Sequence, residues 1–310
     1  MLSRRKNCWT QSAQGFEVIT STSPPDGCKK PYRFRFGEQR PVSLRELHRM
    51  TFKEVEDYVR TGPGIVILPV GSTEEHGAHG PMGADTFCAS LVSRKVTELV
   101  DGILAPAVPY GMAQDQINFT GTVSLRPSTL ALLMKELCEN FIRDRYRLVL
   151  MISGHRGNDH SVMTGIQEIG FKSRTHLLYM SYQDANRGRL REIIGEEYAP
   201  KVNAEDMRYG ADGHAGSIEL SIAMAFSEGC VRLDRRQTPD RSKADALRSF
   251  PFKSILNMEE TAPTEGFFGD PSYCSTVLGE RVAQKTAEVI AAEVQRYLKE
   301  FPERFERVNN

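Results

Sequence analysis

The sequence predicts an α/β protein, a single domain built on a mostly parallel sheet. Short apolar runs at Ile65–Val70, Ile103–Val108, Leu148–Ile152 and Leu177–Tyr182 read as strands, the first buried on both faces and the third also buried. Stretches with apolar residues at helical spacing lie between them. A chain of 310 residues has room for one large domain or two smaller ones, but no composition break separates two halves.

Residues 1–40 are polar, with Pro24-Pro-Asp-Gly27 marking a turn, and read as an irregular N-terminal extension. Such a segment is a loosely ordered tail or a subunit-contact arm. The folded domain is expected over 41–310. Thr51-Phe-Lys-Glu54 is a capping box that opens a helix through Tyr58, stopped by Gly62-Pro63. The first strand empties into a loop from Gly71 to Asp85. From Thr86, the residues Phe87, Leu91, Val92, Val96, Leu99 and Val100 keep helical spacing, with Asp85 where an N-cap would sit. After the strand at 103–108 comes a loop rich in turn signals, Tyr110 to Thr122. Ser128–Arg143 is an amphipathic helix with Leu130, Leu133, Met134, Leu137 and Phe141 inside. Leu148–Ile152 breaks at Ser153-Gly-His-Arg-Gly-Asn158 and continues as a helix from about Asp159. Ala211-Asp-Gly-His-Ala-Gly216 is a turn leading into a helix over Ser217–Phe226, and Glu280–Phe301 is a long amphipathic helix.

Composition narrows the function. Lys+Arg and Asp+Glu are equal at 40 each, so no basic surplus points to nucleic acid. No apolar run approaches the roughly 18 residues that a membrane span needs. The start, Met1-Leu-Ser-Arg-Arg-Lys-Asn-Cys-Trp, has no apolar stretch after its basic residues, which argues against a secretory signal. Six cysteines without paired or metal spacing suit a reduced, cytoplasmic setting, with Cys88 and Cys138 as buried thiols. Nothing resembles a phosphate-binding loop or a dinucleotide fingerprint after a strand.

What remains is chemistry at strand ends, where open α/β sheets bind their ligands. Three strand-to-loop transitions each deliver a histidine among glycines: His76, His155 and His214. Oxygen ligands accompany each one: Glu74 and Asp85, then Asn158, then Asp212 and Glu219. Glu74 and His76 are two apart, so in extended backbone they point the same way. Histidine with carboxylate is a ligand set for a divalent transition metal, and zinc, manganese and iron all suit it. The remaining histidines read as bystanders: His48 on the surface, His176 structural, His160 half-buried and His79 in an outer shell or loop hydrogen bond. Glu75 reads as an exposed loop carboxylate, with proton donation as its other reading.

Four segments, in order over roughly residues 43–300, resemble the creatininase (creatinine amidohydrolase) family. Val70-Gly-Ser-Thr-Glu-Glu-His-Gly-Ala-His-Gly-Pro-Met-Gly-Ala-Asp-Thr86 is similar to its opening motif. Ser153-Gly-His-Arg-Gly-Asn158 resembles its Asn-Gly-His-Gly-Gly-Asn loop. Asp212-Gly-His-Ala-Gly-Ser-Ile-Glu-Leu-Ser221 resembles its His-Ala-Gly-Glu-x-Glu-Thr-Ser segment, and Gly266-Phe-Phe-Gly-Asp-Pro271 its late turn. The resemblance implies a three-layer α/β sandwich, two divalent ions per subunit and a ring-like homo-oligomer, often a hexamer. It also implies hydrolysis of a non-peptide C–N bond (amide, lactam or formamide) in a small, cyclic, nitrogenous substrate by a metal-activated hydroxide. A metal-assisted isomerase or lyase, or a non-catalytic assembly protein, are the alternatives on the same fold.

Carried over by position, Glu74 and His155 bind one ion, His76 the other, and Asp85 bridges them. Creatininase has a metal-binding carboxylate two residues after its loop histidine; here that position is Gly157, so Glu219 is expected to close the second site. Asp85 and His214 form the catalytic pair, with His214 orienting substrate or shuttling a proton. Tyr110, Gln116, Arg156 and Asp212 are the substrate-binding candidates. Several departures argue for a substrate other than creatinine. Asp115-Gln116 stands where many members have Glu-His, Ser217 replaces a frequent carboxylate, and Arg156 replaces a glycine. Arg156 is suited to pairing with an anionic substrate group or to a salt bridge within its loop.

Overall fold

The computed structural model describes residues 44–170, 173–251 and 255–302, with a short antiparallel pairing of 11–12 with 15–16. The rest of the expected extension at 1–40 lies outside the described residues. Six longer helices are α1 (Phe52–Thr61), α2 (Ala84–Leu99), α3 (Pro127–Arg143), α4 (Asp159–Gly170), α5 (Ser217–Phe226) and α6 (Thr276–Glu300). Four strands, β1 (Ile65–Val70), β2 (Ile103–Leu104), β3 (Leu148–Ser153) and β4 (His176–Ser181), pair in the order β2-β1-β3-β4, all parallel.

The two faces of the sheet divide by alternation. Ile65, Ile67, Leu148, Leu150 and Ile152 pack with Val92 and Val96 of α2, Ile218 and Ile222 of α5, and Val282 and Ile290 of α6. Val66, Leu68, Val70, Val149 and Met151 pack with Tyr58 of α1, Leu130 and Met134 of α3, and Val162 and Ile166 of α4. Helices thus cover both faces of a parallel sheet, which is why its strands read as unbroken apolar runs. Each fully buried aliphatic side chain contributes about 1.5–3 kcal/mol, so the strand ends are held by a stiff scaffold.

The capping box forms: Glu54 Oε2 accepts the Thr51 N–H at 2.7 Å, and Gly62 closes α1. Several boundaries differ from expectation: α1 runs on to Thr61, Tyr182 opens a short helix and does not end β4, and three further cases have a plain physical cause. The strand expected over 103–108 is only two residues long, because Pro106 has no N–H for the ladder; pairing resumes at a Val70–Val108 bridge. Helix α2 begins at Ala84 with Gly83 as N-cap, so Asp85 lies in the first turn with its carboxylate free for other partners. Helix α6 begins at Thr276, where Ser275 accepts the Leu278 N–H at 3.2 Å, four residues before the first residue of the expected helix. Cys88 and Cys138 are buried free thiols, and no helix among the described residues is long and apolar enough to cross a membrane.

Candidate metal centre

Register places the site. Val70, Ser153 and Ser181 are ladder partners, so the loops after β1 and β3 leave the sheet side by side. They then approach so closely that a Cβ on Gly154 would lie 2.0 Å from the Asp85 carbonyl oxygen; only glycine fits there. Asn158 ties the approach together. Its Nδ2 donates to the Gly71 carbonyl at 3.0 Å and its Oδ1 accepts the Met112 N–H at 2.9 Å. Asn158, expected beside His155 as an oxygen ligand, is therefore committed to main chain.

Around this junction the side chains converge. His155 Nδ1 lies 3.0 Å from Glu74 Oε1 and 3.5 Å from Asp85 Oδ2. His76 Nε2 lies 3.8 Å from Asp85 Oδ1 and 3.6 Å from Glu219 Oε2. Two three-residue donor groups result, Glu74–Asp85–His155 and His76–Asp85–Glu219, and Asp85 belongs to both. A third grouping, Glu74–His76–His214, overlaps them. Asp85 and Glu219 sit in the first turns of α2 and α5, where the helix dipole favours negative charge.

The imidazoles are oriented by main chain. His155 Nε2–H donates to the Met112 carbonyl at 2.8 Å and His76 Nδ1–H to the Glu74 carbonyl at 3.1 Å, so each ring turns its other nitrogen to the carboxylates. Metal-binding histidines are typically fixed in this way. The facing atoms fit a cation. Glu74 Oε2, His76 Nε2 and Asp85 Oδ2 are buried without a hydrogen-bond partner among the described residues. Burial favours neutral imidazole, yet the Glu219 and Asp85 charges raise His76 to about 9, and those of Glu74 and Asp85 raise His155 to about 10. The same cationic rings keep Asp85 ionised against burial.

Gly157 also acquires a reason. A Cβ there would lie 2.1 Å from His155 Nε2 and 2.5 Å from the Met112 carbonyl oxygen, so this loop has no room for a carboxylate at that position. Glu219 approaches from α5 instead, with Oε2 accepting the Ala215 N–H at 2.8 Å.

A family model described as Creatininase, creatinine amidohydrolase, matches residues 48–294. The chain belongs to the creatininase family. It is a divergent member. It is 28% identical over 249 residues to the mycofactocin precursor peptide peptidase of Mycobacterium tuberculosis, covering 77% of this chain and 87% of that one. It is 25% identical to the creatinine amidohydrolase of Pseudomonas putida, covering 82% and 96%. A manganese creatininase superimposes with a TM-score of 0.70 at 22% identity, covering 84% of this chain and all of that one. A mutant creatininase of Zn-Zn type gives 0.70 at 23%, covering 84% and 99%. The fold is therefore the creatininase-like α/β fold.

The other candidates divide within this family frame. His214 Nε2–H donates to the Glu75 carbonyl at 2.9 Å, with Glu75 Oε1 at 3.2 Å, and His214 Nδ1 faces Glu74 Oε1 at 4.0 Å. Burial alone favours a neutral His214 ring, but the Glu75 bond and the surrounding carboxylates hold it protonated. Glu75 is thus no exposed loop carboxylate. It is 5% exposed, and it also accepts the Gly77 N–H at 2.7 Å. Sequence reasoning missed this pairing, because its partner lies 139 residues away. The late turn secures His214 from the other side, with Gly269 N–H donating to the His214 carbonyl at 2.8 Å.

Gln116 is buried, and its Nε2 donates to Glu74 Oε1 at 2.8 Å. Arg156 is exposed and pairs with Asp184 at 3.2 Å, and Tyr110 is 46% exposed. Asp212, expected at the substrate, is buried at the start of α5, where Oδ2 accepts the Ile218 N–H at 2.9 Å and the Tyr273 hydroxyl at 2.8 Å. Burial pushes its carboxyl up to about 7. His79 is fully buried beside the Ala215 carbonyl, and His176 is buried near the Tyr297 hydroxyl. His48 is exposed, as expected, but His160 is exposed on α4 and not half-buried.

Proposed function

We propose that this chain is a dinuclear metal-dependent hydrolase of a non-peptide C–N bond (amide, lactam or formamide) in a small nitrogenous substrate. One observation carries the reading: Asp85 is shared by two buried donor groups, each completed by one histidine and one glutamate. Glu74 and His155 would hold one divalent ion and His76 and Glu219 the other, with Asp85 between them. Zinc, manganese and iron all suit this mixture of imidazole and carboxylate. Such ions, when bound, supply an acidified water and a polarised carbonyl.

The chain's own residues do the rest. The carboxylates offset the positive charge of the pair. His214, held by Glu75 through Nε2, keeps Nδ1 turned toward Glu74, and on this reading it passes a proton to the leaving nitrogen. Gln116, Tyr110 and Arg156 form the proposed substrate side, while Asp212 holds the turn that presents His214. A cytoplasmic homo-oligomer, a hexamer in the family's usual form, goes with this reading and is tested by light scattering. Cleavage of a peptide is the second reading, favoured by the 28% identity to a peptide peptidase.

Two measurements decide. Elemental analysis of the purified chain is expected to give about two divalent ions per subunit; fewer than one favours an assembly protein. Turnover of a panel of lactams, N-formyl compounds and short peptides in heavy-oxygen water is expected to place one solvent oxygen in the product carboxylate. Turnover without that label means an isomerase or lyase.

A further inference from the structure

Gln116, in the loop before α3, is 2% exposed, and its Oε1 has no hydrogen-bond partner among the described residues. Chemistry fixes which way its amide faces. An ionised carboxylate only accepts, so Nε2 must face Glu74 Oε1, and the oxygen is left to find a donor elsewhere. Main-chain donors next to Gln116 and Glu74 in sequence are committed. Met112 N–H goes to Asn158 Oδ1 at 2.9 Å, Ala113 N–H to Ser124 Oγ at 2.8 Å and Glu75 N–H to Thr122 Oγ1 at 3.2 Å. A buried carbonyl oxygen left without a donor is costly, so its retention beside a ligand-binding carboxylate points to a donor that arrives with the substrate.

The location restricts that donor. The Glu74 oxygen that Gln116 grips is 3.0 Å from His155 Nδ1 and 4.0 Å from His214 Nδ1, so a molecule bound among these three residues lies next to the Gln116 amide. A neutral amide oxygen attracts an N–H and repels a carboxylate or an ester oxygen, which bring only further lone pairs.

Building on the metal-centre reading, we propose that Gln116 is a substrate-positioning residue whose Oε1 accepts the N–H next to the scissile carbonyl. It selects secondary amides, lactams and N–H formamides over their N-alkylated and ester counterparts. Glu74 holds the amide of Gln116 in the orientation that makes this selection.

The test uses binding. Acetohydroxamic acid and N-methylacetohydroxamic acid chelate a divalent ion through the same two oxygens and differ at the nitrogen hydrogen. Calorimetric titration of the zinc-loaded full chain is expected to show the N–H probe binding about tenfold tighter. The two affinities are expected to become level in Gln116→Leu and Gln116→Met, both checked for metal content. Equal affinities in the native chain overturn the proposal whether or not the variants fold. So does a preference that survives in both variants, since sterics then explain it. If the native chain takes up no metal, the metal-centre reading fails first and this proposal with it. Full metal loading with no N–H preference sinks the proposal alone.

Discussion

The two donor groups that share Asp85 are built by different means. Glu74 and His155 stand on loops after adjacent strands, fixed by ladder register, by Asn158 and by the glycine contact between residues 154 and 85. His76 stands on the first of those loops, but its partner Glu219 comes from α5 and depends on how that helix packs. Cys88 Sγ of α2 touches the Glu219 carbonyl at 3.4 Å, and α6 crosses α5 so closely that a Cβ on Gly279 would lie 1.8 Å from the Ser221 carbonyl oxygen. One half of the site inherits the precision of a sheet, and the other that of a helix interface.

Predictions separate the halves, beginning with the residue they share. Asp85→Ala should lose both ions by elemental analysis, with an activity loss beyond the ~100-fold typical of removing an outer-shell partner. Full metal content in that variant would sink the whole assignment. Glu219→Ala should retain about one ion, because the Glu74–His155 half does not lean on α5. Loss of both ions would show that the halves form as one. Gly279→Ala touches no ligand, yet it should push α5 away, cost about 1–3 kcal/mol or more in urea unfolding, and weaken only the second ion. Two equally weakened ions would count against the division. The smallest effect belongs to Glu75→Gln. It keeps the main-chain acceptor of His214 and should lower kcat roughly tenfold with metal content unchanged; an unaltered kcat would return Glu75 to a loop role.

Much of this contrast is legible in the sequence. Parallel strands announce themselves as apolar runs, and chemistry and resemblance together mark the acidic and histidine residues among glycines at their ends as ligands. The sheet-built half was the easier one, since Glu74 and His155 stand on the loops that directly follow strands. Gly157 was legible only as a missing carboxylate; its reason, the contact with His155 and Met112, exists only in three dimensions. The His214–Glu75 pair and the turn-holding role of Asp212 were hidden for the same reason, because each depends on a partner brought close by folding. Asp85 stands near where Asp commonly caps a helix, yet Gly83 takes the N-cap position and the Asp85 carboxylate faces two histidines instead.

The burial of this cluster has a thermodynamic consequence. Glu74, Glu75, Asp85 and Glu219 are all at most 5% exposed, and the unfolded chain has no need to gather them. Any cation that binds only the gathered form must raise the unfolding free energy, by about 1.4 kcal/mol for each tenfold rise in free metal above its dissociation constant, per ion. Melting temperature plotted against the logarithm of free zinc should therefore climb with a slope that counts the ions. Chelator should depress it toward the value of a fold that carries four carboxylates in its interior, offset by histidines and a few N–H donors.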